Sequence, residues 1–117
     1  MGRNVADYSV VRDSSIAIDV NGSDDIRMSV TPRNGTILNL NSILTFVIRE
    51  TNNLRLRVDI NNQVVFEENL VDSNLERTMQ EIFPANVLIS GTNEVTFTAI
   101  RGRGIFSDIV LIYRRKS

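Results

Sequence analysis

Apolar and polar positions alternate with a period of two through most of this chain, the period of half-buried β-strands rather than helices. Leu54, Leu56, Val58 and Ile60 alternate with Arg55, Arg57 and Asp59, so one face of this run meets a core and the other carries charge. Asn61-Asn62 follows, and asparagine tolerates the left-handed backbone of a tight hairpin turn, after which Val64-Val65-Phe66-Glu67 runs back. Leu44, Phe46 and Ile48 mark a similar strand over 44–50, and Val95, Phe97 and Ala99 another over 94–101. Upstream, 8–20 and 26–31 are β-branched-rich runs broken by Asn21-Gly22 and by Pro32-Arg33-Asn34-Gly35. The last quarter reads as a turn at Gly91, a strand, a tight turn over Arg101-Gly102-Arg103-Gly104 and a final strand from Asp108 to Tyr113.

One segment carries both periods. Leu75, Met79, Ile82 and Phe83 sit at helical spacing behind Ser73 or Asn74 as caps, yet 76–83 also reads as a strand ending at Pro84. The all-β surroundings favour the strand, because context overrides a weak helical propensity. The pattern predicts one all-β domain over residues 1–117, an antiparallel β-sandwich of jelly-roll type with about eight strands. Residues 1–7 and 114–117 are expected to be flexible ends.

The final strand is apolar on both faces, with Ile109, Leu111 and Tyr113 on one and Val110 and Ile112 on the other. Either it is a central strand covered on both sides, or one face serves oligomerisation or docking onto a neighbouring domain.

Composition narrows the chemistry. A chain of 117 residues with 42% hydrophobic content can bury its own core. A formal net charge of −1 argues against a nucleic-acid or anionic-membrane binder held by bulk electrostatics. The positive charge is twelve arginines and Lys116, which suits cross-strand pairing with carboxylates. Cysteine is absent, so there is no disulfide framework. No apolar run is long enough for a membrane span, and the start Met1-Gly2-Arg3-Asn4-Val5-Ala6 shows no signal peptide and carries Ala6 where a myristoylation site needs Ser or Thr. The compartment stays open.

Histidine is absent too, which removes imidazole catalysis and the usual zinc ligands. Glu67 and Glu68 are adjacent, so on a strand they point to opposite faces and do not make a catalytic pair. No enzyme is expected. Asp19, Asn21, Asp24 and Asp25 gather oxygen ligands on a turn that could hold calcium, although the spacing fails the EF-hand template, with Val30 where the last glutamate belongs. Asn21-Gly22-Ser23 and Asn34-Gly35-Thr36 match glycosylation sequons. Arg101 and Arg103 place two guanidiniums on a turn, suited to carboxylate or phosphate recognition.

Residues 54–113 resemble the C-terminal half of galactose-binding-domain-like β-sandwiches, the jelly-roll modules common among carbohydrate-binding modules and accessory domains of glycosidases. The likeness lies in the strand–turn–strand Leu54 to Phe66, in Phe83-Pro84 leading through Leu88 and Gly91-Thr92-Asn93 to Val95, and in Ser107-Asp108-Ile109-Val110-Leu111-Ile112-Tyr113 as closing strand. Gly91 and Asn93 serve a tight turn in this reading, and Asp108 accepts backbone hydrogen bonds at a strand entrance. The resemblance implies a carbohydrate ligand. Against it, Trp is absent, most phenylalanines fall on inward positions, and Tyr8 and Tyr113 are the only amphipathic rings.

If the strands from Leu44 to Tyr113 reverse direction one after another, alternate loops share an end of the sandwich. Thr51-Asn52-Asn53, 71–74 and 101–104 then cluster, and binding usually uses loops on a rigid scaffold. The expected ligand site is Arg49, Asn52, Asn53, Asp72, Asn74, Arg101 and Arg103. The expected function is a non-catalytic binding module, its ligand a glycan by resemblance. The alternative is a structural or protein-interaction domain of a larger assembly, or a homo-oligomer joined through residues 108–113.

Overall fold

The computed structural model describes residues 4–32 and 41–116. Residues 1–3, the break at 33–35, the second sequon and residue 117 lie outside the described residues. Seven strands form: β1 Asn4–Arg12, β2 Ile16–Asp19, β3 Asp25–Val30, β4 Ser42–Ile60, β5 Gln63–Asn69, β6 Arg77–Phe83 and β7 Asn93–Lys116. All pairings are antiparallel. The ambiguous segment 76–83 thus resolves to strand, over Arg77–Phe83.

β4 and β7 are far longer than the pattern predicts. At about 3.3 Å per residue, the 24 residues of β7 would reach roughly 79 Å, yet the molecule's longest dimension is 50 Å. Both strands therefore bend and pass from one layer of a sandwich into the other. The first layer contains β1 and β2, the second half of β7, the first half of β4, and β6. The second contains β3, the first half of β7, the second half of β4, and β5. Thr51-Asn52-Asn53 and 101–104 are accordingly not hairpin turns, as the alternation suggested. They are bends within continuous strands, side by side in the ladder.

Bulges make the bends. The β4–β7 register shifts between Thr45 and Val47, Ile48 and Glu50, and again between Asn52 and Leu56. Asn53 (φ 51°), Asp108 (φ 52°) and Gly102 (φ 71°) take left-handed backbone at or beside these shifts. Asp108 is thus a bulge residue inside a strand. Its carboxylate accepts from Ser107 Oγ (3.1 Å) and pairs with Arg49 (3.6 Å), in place of the backbone bonds expected at a strand entrance. A Cβ at Gly102 would collide with the carbonyl oxygens of Asn52 and Asn53.

The core lies between the layers. Phe46 of the first layer stacks edge-on against Phe66 and Phe97 of the second (6.3 and 5.1 Å) and against Phe106 (5.9 Å). Ile109, Leu111 and Tyr113 are buried, and Tyr113 Oη reaches Ser9 Oγ at 3.0 Å. At the far end, Asn61 and Asn62 (φ 51° and 66°) form the expected β4–β5 hairpin turn. Asn93, fully buried, accepts from Ile89 N (2.8 Å) and Asn61 Nδ2 (2.7 Å) and donates to Ile89 O and Gly91 O. It serves the turn there, as its sequence context implies.

Of the two ends, residues 4–7 and 114–116 pair with each other as β1 and β7. Asn4 lies opposite Lys116, and Arg115 Nε donates to Asp7 at 2.7 Å. Among the described residues no helix is long and apolar enough to cross a membrane.

Three outcomes follow. Phe46→Ala should lower unfolding free energy by about 3–5 kcal/mol in denaturant titration, as for other buried aromatics. Gly102→Ala should cost about 1–3 kcal/mol from its left-handed backbone alone, and the carbonyl clash should push the midpoint lower still. Glu81 lies on an inward position of β6 opposite Leu44, and burial followed by the charge of Glu68 holds its pKa above the usual carboxylate range. The folded state therefore favours protonated Glu81, and its contribution to stability is lost as pH rises through that raised pKa. Glu81→Gln should melt higher than the native chain at neutral pH, with the gap closing once the pH falls below the ordinary glutamate pKa.

Candidate functional site at the bend

Four segments pass side by side where the layers meet: 19–24, 101–104, 51–53 and 70–74. Val20 N donates to Gly102 O (2.9 Å), and Ala99 N to Asp24 O (2.7 Å). Asn52 faces Arg103 in the β4–β7 ladder. Thr51 and Ser73 exchange backbone bonds of 2.9 and 3.2 Å, and Thr51 Oγ1 donates to Val71 O at 2.6 Å. The three segments expected to cluster do come together, but for a different reason. The strands do not reverse at 51–53 or 101–104; they bend there side by side as an antiparallel pair.

Three of the seven expected ligand residues, Asn53, Asp72 and Arg101, are occupied in holding this bend. Arg101 Nε donates to Asn53 O (3.3 Å) and Oδ1 (3.2 Å), and its Nη2 to Asn69 Oδ1 (3.1 Å). Asp72 Oδ1 accepts from Asn53 N at 2.6 Å, satisfying a donor that the bulge removes from the ladder. Arg49 lies apart, donating to Glu76 (2.6 Å) and to Ser107 Oγ (3.0 Å). Asn74 is exposed on the β5–β6 connection, with no side-chain hydrogen bond among the described residues.

Asn52 and Arg103 remain. They border a depression of 320 Å³ with Asp19, Asn21, Asn53 and Gly102. A second depression of 270 Å³ shares Asp19 and Arg103 with it, adding Glu50 and an apolar side of Ala17, Ile18 and Ile105. Among the described residues, the Arg103 guanidinium, the Glu50 carboxylate and the Asn52 amide have no hydrogen bond or ion pair. Asp19 Oδ1 accepts from Asn21 N (2.9 Å), leaving its other oxygen without a described partner. The cleft therefore offers one cation, two carboxylates and the amides of Asn21 and Asn52 beside an apolar wall, the third amide, Asn53, already accepting from Arg101.

Of the turn residues grouped as calcium ligands, Asp19 and Asn21 line the cleft, Asp24 is exposed, and Asp25 begins β3 with its carboxylate 3.9 Å from Arg27. Among the described residues no three carboxylates gather to hold a metal ion. Glu50 was missed by the sequence reading, although a signal exists. Alternation from Leu44, Phe46 and Ile48 points Glu50 inward, and a glutamate at an inward position marks the bulge at Arg49 that turns it out.

No protein-family model matches the chain, and no curated protein sequence matches it. Solved structures do. A β-porphyranase of glycoside hydrolase family 86 from the human gut bacterium Bacteroides plebeius matches 99% of this chain with TM-score 0.71 at 16% identity, over 21% of its own length. A family 35 carbohydrate-binding module from Clostridium thermocellum matches 91% of this chain and 97% of its own, with TM-score 0.54 at 16% identity. An exo-β-1,3-galactanase from Phanerochaete chrysosporium matches 96% of this chain over 27% of its own, with TM-score 0.53 at 14% identity. The chain thus spans about a fifth of the length of the family 86 hydrolase that it matches. Identities this low speak for fold alone: this chain shares its antiparallel β-sandwich with a family 35 carbohydrate-binding module and with part of the family 86 hydrolase.

Proposed function

We propose that this domain is a non-catalytic carbohydrate-binding module whose sugar sits in the cleft at the bend. The observation that carries the reading is the free polar set Glu50, Asn52 and Arg103 beside Asp19. Sugar hydroxyls both donate and accept, so a site for them combines acceptor carboxylates, a donor guanidinium and amides that do both. The wall of Ala17 and Ile105 suits the C–H face of a pyranose, in place of the aromatic platform this chain lacks. Each depression lies near the small end of the range of about 300–1,000 Å³ for ligand pockets, which fits one or two sugar rings rather than a long chain.

The matched solved structures supply the ligands to try: galactose, β-1,3-galactotriose and neoagarooctaose appear with the hydrolases among them. A family 35 carbohydrate-binding module that this chain covers almost entirely supports the non-catalytic reading. Calorimetric titration with these three sugars, followed by a wider glycan array, tests it. Arg103→Ala and Glu50→Gln should each weaken binding roughly tenfold to a hundredfold, the range for a hydrogen bond to a charged group, with unchanged melting temperature. Arg101→Ala should instead lower the melting temperature, since it staples Asn53 to Asn69. Absence of glycan binding, or affinity indifferent to both cleft variants, would overturn the assignment.

A further inference from the structure

We propose that the outer face of the first layer joins two copies of this chain face to face. The two outer faces of the sandwich differ sharply. That of the second layer carries Arg55, Arg57, Asp59 and Glu67 in ion pairs, as a solvated face does. That of the first layer is neutral and apolar across all four strands. Tyr8, Ile112, Ile43 and Ile82 form one continuous row from β1 to β6. Val10, Val110, Thr45 and Gln80 form the next. Tyr8, Val10 and Ile82 are 55%, 51% and 63% exposed, so the face lies open at both edges. An open apolar sheet face of this extent marks a contact surface.

Charge selects the occupant. One end of the face is closed by Arg114, which is exposed. The other is closed by Arg49 with Glu76 and Asp108, one cation against two carboxylates. A two-fold axis lying in the interface and running across the strands turns each copy end for end on the other. It lays Arg114 of each copy over the net-negative end of its partner, with the neutral rows packed between. Four strands at about 4.8 Å and the three outward rows that β6 can supply, at roughly 6.7 Å, give about 400 Å² per copy, or roughly 800 Å² in total, below the usual range for a specific interface. The dimer is therefore weak and concentration-dependent. It leaves the bend cleft free, because that cleft lies at the end of the sandwich.

Sedimentation equilibrium from low micromolar to near-millimolar protein tests this. The apparent mass should rise from 13.2 kDa toward twice that value. Ile112→Lys should keep the chain monomeric throughout. Ile82→Lys, on an edge strand and already exposed, should do the same while leaving the melting curve unchanged, which separates lost association from lost folding. Arg114→Glu should weaken the dimer, and Arg114→Glu with Glu76→Arg should restore it. A chain that stays monomeric at near-millimolar concentration overturns the proposal and leaves the face to another partner, such as an adjoining domain. A dimer that survives both lysine variants, or ignores Arg114→Glu, overturns it as well.

Discussion

The structure depends on two strands too long for the molecule that contains them. β4 and β7 pair with each other along most of their length, so they must bend together, and wherever one gains a residue the ladder slips. The backbone tolerates this only where left-handed conformations come at low strain. Asn53 and Asp108 accept them through short polar side chains, and Gly102 through its missing Cβ. Bending the paired strands brings Phe46 against Phe66 and Phe97 and so closes the core.

The same constraint sorts the polar residues at the bend. A bulge strands backbone donors and acceptors, and side chains must satisfy them. Asp72 takes the Asn53 amide and Arg101 the Asn53 carbonyl. These groups are therefore part of the fold. Glu50, Asn52 and Arg103, on the cleft side, have no such duty, and that division separates a structural arginine from one free for a ligand two residues away.

Charge is distributed with equal economy. Arg55 holds Glu67 by two nitrogens on one carboxylate oxygen (3.1 and 2.9 Å), and Arg115 holds Asp7 at 2.7 Å where β1 meets β7. A solvent-facing pair such as Arg55–Glu67 contributes about 0–1 kcal/mol, so its main effect is to keep the outer face of the second layer solvated and in register. On the edge strands, Glu68 of β5 and Glu81 of β6 occupy inward register positions opposite Leu56 and Leu44. Inward charges on edges discourage further strand addition at β5 and β6.

Much of the fold is legible in the sequence. Period-two alternation identified the strands around Leu44–Ile48, Leu54–Ile60 and Val95–Ala99, and Asn61-Asn62 announced its hairpin, because side-chain period and turn conformation are local properties. The ladder partners, the bend and the bulges are not local. A run such as Thr51-Asn52-Asn53 or Arg101-Gly102-Arg103-Gly104 has the composition of a turn whether the chain reverses there or bends onward. Only pairing with the other long strand decides between them. The free groups of the cleft follow from that decision too: Glu50 faces outward only after the slip at Arg49, and Arg103 differs from Arg101 only in what the bend places beside it. Sequence alone determined a β-sandwich and the residues able to turn; tertiary pairing determined which of them turn, which hold the bend and which stay open to a ligand.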